Sequence, residues 1–288
     1  MIEFEENVDL SRFSTMKIGG KAKKFFFPKD IKQVRHLVLE SLDKDKKLIP
    51  VGIGSNLIFK DGTLDYIFVS TKNLKKFSIK KEKDFFILEC EAGVSFKTIV
   101  SIVKKYNLAG FENLSGIPAS LGGAVAMNAG AFGTEIFDIL EEVVWIDKKG
   151  NIHISKKKEI EHSYRYTQFQ REGFVYSAKL ILKPTEENIK EKIKKHLLER
   201  NSKQPLDLPT TGSTYKNPCE APAGLLLEKA GFKGKRVGDV GFSEKHANFL
   251  VNYGNGKYSQ LIKLLENAER TVKNLFGIQL EREVRIVE

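Results

Sequence analysis

Two cysteines, Cys90 and Cys219, are too few in 288 residues for a disulfide framework, and their spacing matches no metal site. The five histidines (His36, His153, His162, His196 and His246) form no HxxxH or HExxH pair, so no protein-bound metal is expected. No apolar run approaches the roughly 20 residues needed to cross a bilayer. The acidic opening Met1–Glu6 lacks the basic-then-apolar order of a signal peptide, so no membrane association and a cytoplasmic protein are expected. Internal repeats and low-complexity segments are missing. So are basic stretches interleaved with stacking aromatics, so a nucleic-acid partner is not expected.

Hydrophobic residues make up 41% of the chain and charged residues 30%, the balance of a globular protein long enough for two or three domains. The net charge of +11 allows a polyanionic partner. Its lysines, however, alternate with acids, as in Lys80-Lys81-Glu82-Lys83-Asp84, which reads as a solvated surface that secondarily attracts an anionic ligand.

Periodicity and caps predict a mixed α+β chain. Asp30 caps a helix with apolar face Ile31, Val34, Val38 and Leu42, and Ser95 caps one that buries Phe96, Ile99, Val100 and Val103. A helix over Glu186–Arg200 carries Ile189, Ile193 and Leu197, and Pro222 opens another that ends at Gly231. Tyr258 to Phe276 forms a long amphipathic helix (Leu261, Leu264, Leu265, Ala268, Val272, Leu275) closed by Gly277. Strands are expected at Leu48–Val51, Tyr66–Val69, Phe77–Ile79, Phe85–Glu91, Ile139–Ile146, Asn151–Ile154, Phe174–Lys183, Asn248–Asn252 and Ile278–Val287. Asn201 to Gly212 reads as an interdomain connection, giving at least two domains.

Three motifs carry chemistry. Gly52-Ile53-Gly54-Ser55-Asn56-Leu57 follows a strand, and glycines without Cβ let backbone N–H groups approach phosphate oxygens. It lacks the third glycine of a dinucleotide-binding fingerprint and the Gly-Lys-Ser/Thr of a P-loop, and alone it reads as a β-turn. The run Leu114 to Gly133 contains Ser115, Gly116, Pro118, Ser120, Gly122, Gly123, Asn128, Ala129 and Gly130. So many small residues are not expected to pack a core well. A large rigid ligand against the backbone, such as a pyrophosphate-bearing dinucleotide, is favoured over close helix packing. Gly212-Ser213-Thr214-Tyr215-Lys216-Asn217-Pro218 sets a hydroxyl beside a cation and an amide, and by itself reads as a polar turn.

Taken in order, these motifs resemble the UDP-N-acetylenolpyruvoylglucosamine reductase family (UDP-N-acetylmuramate dehydrogenases). The resemblance starts at Ser14-Thr15-Met16-Lys17-Ile18-Gly19-Gly20 and includes both glycine-rich segments, Tyr164-Arg165-Tyr166-Thr167 and the Gly212–Pro218 run. It continues through Ala223–Gly231 and His246–Asn252 to Leu280-Glu281-Arg282-Glu283-Val284-Arg285, nearly the whole chain. Ala119 stands where the family more often has Gly, and Arg282 where Pro is common; the length matches the family's shorter form, without an extra substrate-covering insertion.

The resemblance implies a two-lobed FAD-binding domain of the PCMH type (lobes 1–72 and 73–198) and a smaller α+β substrate-binding domain (199–288), whose final strand 278–288 returns to the first lobe. It implies a monomer that uses NADPH and FAD to reduce the enolpyruvyl ether of UDP-N-acetylglucosamine, with hydride passing from flavin N5 to the β-carbon. FAD would lie on Gly52, Gly54, Ser55, Asn56, Leu57, Ser115, Gly116, Pro118, Ser120, Gly122, Gly123, Asn128, Ala129 and Gly130. By the same resemblance Ser213 protonates the α-carbon, Arg165 holds the carboxylate, and Glu283 polarises it. Lys203, Asn217 and Lys233 would take the UDP and its phosphates, and His246 would satisfy hydrogen bonds in the third domain. Two rivals remain: another FAD-linked oxidoreductase of the same flavin-binding fold, such as an aldonolactone-type oxidase, and a nucleic-acid binder supported by charge alone.

Neither glycine-rich motif contains a His or Cys that could tether a flavin. The purified protein should therefore be yellow and release about one FAD per chain on denaturation. Absorbance at 450 nm before and after precipitation measures this; a colourless chain that takes up no added FAD would sink the flavoprotein reading.

Overall fold

Helix boundaries follow their caps. In the computed structural model, which describes residues 1–288, Asp30 accepts the Gln33 amide at 2.8 Å and starts the helix Ile31–Asp43. Ser95 accepts the Thr98 amide at 3.2 Å at the head of Phe96–Tyr106, which Asn107 closes in the left-handed region at φ 52°. Gly277, at φ 72°, ends Tyr258–Phe276 at the predicted residue. The fourth long helix occupies Ile189–Lys203, shifted three residues toward the C-terminus from the expected range.

The buried stripes are Val34, Leu37 and Val38 on the first helix, Phe96, Ile99, Ile102 and Val103 on the second, and Leu261, Leu264, Leu265, Ala268 and Val272 on the last. Three leucines assigned to apolar faces instead meet solvent: Leu42 at 57%, Leu197 at 36% and Leu275 at 59% exposure. Each lies in the C-terminal half of its helix, past the last turn that packs. Ile102 takes the buried place expected for Val100, which is half-buried.

The chain divides into two compact units, 1–6 with 24–53 and 65–199, and 7–23 with 54–64 and 200–288. The sequence division at 72 and 198 placed 7–23 and 54–64 with the N-terminal lobe; here they group with the C-terminal unit.

In the first unit an antiparallel sheet runs in the order Ile152–Lys156, Leu140–Asp147, Gly173–Pro184, Phe86–Glu91, Phe77–Lys81. Gly173–Pro184 is its spine: Ala178 pairs with Val143 on one side and Cys90 on the other. Leu48–Val51 pairs in parallel with Ile67–Ser70, which directs the chain leaving Val51 into Gly52. Cys90 is fully buried, and burial followed by the Glu89 charge pushes its thiol up to about 12, so it stays protonated and inert.

The run of small residues departs from expectation. It contains the helix Leu121–Met127, whose Leu121, Ala124 and Val125 are buried in the same core as Phe96, Phe111 and Leu180. The Gly122 amide bonds to the Ala92 carbonyl at 2.9 Å, and a Cβ at Gly122 would stand 2.6 Å from the Ala92 Cβ. Small side chains here allow a helix to lie directly on a strand end, so part of the segment serves core packing rather than a ligand.

In the second unit the strands Thr210–Ser213, Phe249–Asn252, Val240–Phe242 and Arg236–Val237 form one antiparallel sheet in that order, so the strand starts inside the segment taken for a connection. Tyr258–Phe276 shares a core with this sheet through Leu261, Leu264 and Leu265 beside Phe242 and Leu250. The final strand is confined to Arg285–Val287, which pairs in parallel with Leu57–Phe59; Ile278 to Val284 was expected to be strand as well. No helix is long and apolar enough to cross a membrane.

Two leucines of one helix provide the test of this packing. Leu264→Ala should cost about 2–5 kcal/mol of stability because the cavity cannot fully collapse, whereas Leu275→Ala should stay within about 0.5 kcal/mol. Urea unfolding followed by circular dichroism measures both; equal losses would contradict the burial pattern.

Candidate functional site

Val51, itself buried, ends the strand Leu48–Val51, and the next residue meets the second glycine-rich segment at short range. A Cβ on Gly52 would lie 2.3 Å from the Ser120 hydroxyl oxygen, closer than any side chain tolerates. Ser120 caps the helix Leu121–Met127 without bonding an amide of its first turn, and its Oγ is buried with no hydrogen-bond partner. Orphaned polar atoms of this kind are rare in folded proteins. Gly123, exposed and one turn further on, has only that same Oγ near its virtual Cβ, at 3.4 Å. An unpaired hydroxyl, a helix N-terminus and two bare glycines fit a phosphate-bearing group that supplies the missing acceptor. Of the remaining predicted residues here, Pro118 is exposed, Gly116 half-buried, and Ser115 Oγ donates to the Glu112 carbonyl at 2.7 Å.

The far end of the same segment meets Arg165. Asn128 closes the helix at φ 44° and donates from Nδ2 to Glu135 Oε2 at 2.7 Å and to the Ser163 carbonyl at 2.9 Å, while its Oδ1 is buried and unpartnered. Arg165 sits at the turn between His162–Ser163 and Tyr166–Thr167, at φ 55°. Thr167 Oγ1 pins that hairpin to the Ala126 carbonyl at 2.7 Å. Arg165 Nη2 donates to the Gly130 carbonyl at 2.7 Å, and Nη1 lies 3.8 Å from Glu135 Oε1. The guanidinium also lies over the Tyr164 ring, 4.8 Å from its centroid. Ala129 holds the hairpin arm by accepting the Ile136 amide at 2.8 Å. Glu135 was missed by sequence reasoning, where nothing separates it from a surface carboxylate.

In the second unit the backbone segments that carry Ser213 and Glu283 run side by side. Ser213 ends the strand Thr210–Ser213 opposite Phe249. Its neighbour Thr214 accepts the Glu283 amide at 2.8 Å, Tyr215 bridges to Arg282, and the Lys216 amide donates to the Glu281 carbonyl at 2.9 Å. The Gly212–Pro218 run and the Glu281–Val284 run therefore lie antiparallel, with Ser213 and Glu283 one residue apart across the pairing. Arg282, between the two glutamates, forks its guanidinium onto Glu269 at 2.5 and 2.9 Å. Gly54, at φ 80°, fits only because it lacks a Cβ, which would fall 1.8 Å from the Phe13 carbonyl oxygen. Ser55, Asn56 and Leu57 follow it, half-buried, and Asn56 Nδ2 donates to the Glu283 carbonyl at 3.0 Å.

The substrate-binding candidates are more dispersed. Asn217 is exposed, and its Oδ1 accepts the Ala223 amide at 3.1 Å. Lys233 pairs with Glu228 at 2.8 Å, and Lys203 is an exposed residue at the end of Ile189–Lys203. His246 Nδ1 accepts the Asn248 amide at 3.2 Å, and burial together with the Lys233 charge holds its pKa below the usual histidine value. A cavity of about 560 Å³ lined by Gln204, Leu206, Arg236, Ser243, Lys245 and Tyr253 includes none of the predicted site residues.

Residues 22–155 match the model of an FAD binding domain, and residues 204–287 match that of the UDP-N-acetylenolpyruvoylglucosamine reductase C-terminal domain. The UDP-N-acetylenolpyruvoylglucosamine reductase of Aquifex aeolicus is 44% identical over 99% of this chain and 95% of its own length. That of Syntrophus aciditrophicus is 37% identical over 99% and 91%. The crystal structure of the Thermus caldophilus reductase superposes with a TM-score of 0.83 at 27% identity, covering 100% of this chain and 99% of that one.

If Gly52 and Ser120 together hold the cofactor, Gly52→Ala should weaken FAD binding at least about tenfold, because the new methyl group must displace the hydroxyl. Titration of the flavin-free protein by quenching of FAD fluorescence reads the affinity, and parental binding would remove this contact from the cradle.

Proposed function

The chain belongs to the UDP-N-acetylenolpyruvoylglucosamine reductase family, an FAD oxidoreductase of peptidoglycan precursor synthesis, and we propose that it acts as a cytoplasmic monomer reducing the enolpyruvyl ether of UDP-N-acetylglucosamine with NADPH. The reading is supported above all by the backbone pairing that sets Ser213 one residue from Glu283. An aldonolactone-type oxidase would have no use for that pair, and a nucleic-acid binder none for the orphaned Ser120 hydroxyl.

FAD, held by the two glycine-rich segments, would supply the hydride that the β-carbon of the enolpyruvyl group receives, with NADPH as the source of the reducing equivalents. Gly52, Gly54, Gly116, Gly123 and Gly130 would lie beside the cofactor and Ser55, Asn56, Leu57, Ser115, Pro118, Ser120, Asn128 and Ala129 would complete the cradle, without a covalent link, while Gly122, whose amide is taken by Ala92, serves packing. The substrate's own chemistry then dictates what the protein must provide. Adding hydride to the β-carbon leaves an enolate spread onto the carboxylate, and a proton must reach the α-carbon.

Arg165 binds that carboxylate where negative charge grows. It is prepared by the left-handed turn and by the Gly130 bond, which fix the guanidinium before substrate arrives. Ser213 gives its hydroxyl proton to the α-carbon. A serine hydroxyl is a weak acid, so transfer depends on a strongly basic enolate. Glu283, placed beside it by the Thr214 carbonyl, polarises the substrate carboxylate in its protonated form or through water. Lys203, Asn217 and Lys233 contact the UDP and its phosphates; Lys233 does so by exchanging its exposed Glu228 partner for phosphate.

Ser213→Ala separates the two stages of turnover. Reduction of bound FAD by NADPH involves no enolate and should proceed at nearly the parental rate. Reoxidation by the enolpyruvyl sugar should slow by about 10²–10⁴-fold, the usual worth of a positioned general acid. Stopped-flow flavin absorbance follows both stages in one sample. Unchanged reoxidation would refute the proton-donor role, and equal slowing of both stages would assign Ser213 to the flavin site instead.

A further inference from the structure

Asn56 lies in the first glycine-rich motif, and its side-chain amide is engaged within the protein. Its Nδ2 donates to the carbonyl of Glu283 at 3.0 Å, and its own carbonyl accepts the Arg285 amide at 3.0 Å. The two segments then continue as a parallel pair, Leu57 with Arg285, Ile58 with Ile286 and Phe59 with Val287. Ser14 Oγ braces the same loop by donating to the Leu57 carbonyl at 2.7 Å. Glu283 is thus gripped on both sides of its α-carbon: its amide is held by Thr214, next to Ser213, and its carbonyl by Asn56. A side chain is aimed by the backbone that carries it, and two fixed peptide groups leave the Glu283 carboxylate only its own rotamers.

Resting on the role proposed for Glu283, we infer that Asn56 is a positioning residue for proton delivery to substrate, acting through Glu283. The motif Gly-Ser-Asn then has two jobs. Its glycine lets the loop pass against the Phe13 carbonyl, and its asparagine sets the backbone that carries the carboxylate proposed to work beside Ser213. Without the Nδ2 donor the Glu283 carbonyl turns to water and the segment between Thr214 and Leu57 gains freedom. Misplacement of a reacting group by about 1 Å can cost about 10²-fold in rate.

The test is a double-mutant cycle on flavin reoxidation by the enolpyruvyl UDP-sugar, with each rate measured at saturating substrate on flavin-loaded enzyme. Bound FAD is quantified separately by absorbance, and folding is checked by circular dichroism. Asn56→Ala should slow reoxidation by about 10- to 100-fold. In a Glu283→Gln background the same substitution should add less than about twofold, because the carboxylate it positions is already gone. Asn56→Asp, which keeps the shape and removes the donor, should show the same non-additivity and serves if the alanine variant does not fold. Slowing that multiplies in the double variant, or parental reoxidation in both single Asn56 variants, overturns the inference while leaving Glu283 in place. If Glu283→Gln alone reoxidises at the parental rate, the proposed role of Glu283 falls, and this inference with it.

Discussion

One buried amide organises the second unit. Asn248 is 3% exposed; its Oδ1 accepts the Tyr215 amide at 2.9 Å and its Nδ2 donates to the Tyr215 carbonyl at 2.8 Å. Its backbone carbonyl takes the Thr214 amide at 2.7 Å. With three bonds on two successive residues, the stretch after Ser213 has one available path, and its outer edge is free to receive Glu283 through the Thr214 carbonyl. A buried amide satisfied in this way is costly to break, because either partner left alone loses its hydrogen bond out of reach of water. Asn252, also buried, works similarly four residues on: it donates to the Met16 carbonyl and accepts the amides of Gly254 and Gly256. The motif around His246 therefore matters mainly as a scaffold, and the histidine itself contributes a bond to the Asn248 amide.

The first unit solves a different problem, that of keeping backbone exposed beside a packed core. Its helix Leu121–Met127 buries Leu121, Ala124 and Val125 on one face while presenting Gly123 and the unpaired Ser120 hydroxyl elsewhere. The same few residues thus meet two demands, tight contact of Gly122 with Ala92 and an exposed, bare backbone at Gly123 beside the buried Ser120 hydroxyl. Asn128 and Gly130 extend this logic to Arg165, whose guanidinium is fixed by carbonyl oxygens rather than by a fully engaged carboxylate.

Much of this was legible in the residues. Caps at Asp30, Ser95 and Gly277 and the 3.6-residue stripes located the long helices within a few positions, because capping and amphipathicity are local properties. Which turns of a helix find a neighbour is not local, so Leu42, Leu197 and Leu275 were misassigned to the interior. The strand at Thr210–Ser213 hid inside a Pro- and Thr-rich stretch for the same reason, since its partner Phe249–Asn252 lies nearly 40 residues away.

What the sequence by itself determined was the family, the chemical types at the site and the presence of two bare glycine segments, since ordered motifs and the absence of Cβ atoms are properties of the chain alone. What only the tertiary structure decided was which residue serves which neighbour. It assigned Gly122 to Ala92 and Gly52 to Ser120, and it turned Asn56 toward the Glu283 carbonyl, 227 positions along the chain. Hydrogen bonds and van der Waals contacts act over a few ångströms in space regardless of separation in sequence, so only the folded backbone could make these pairings.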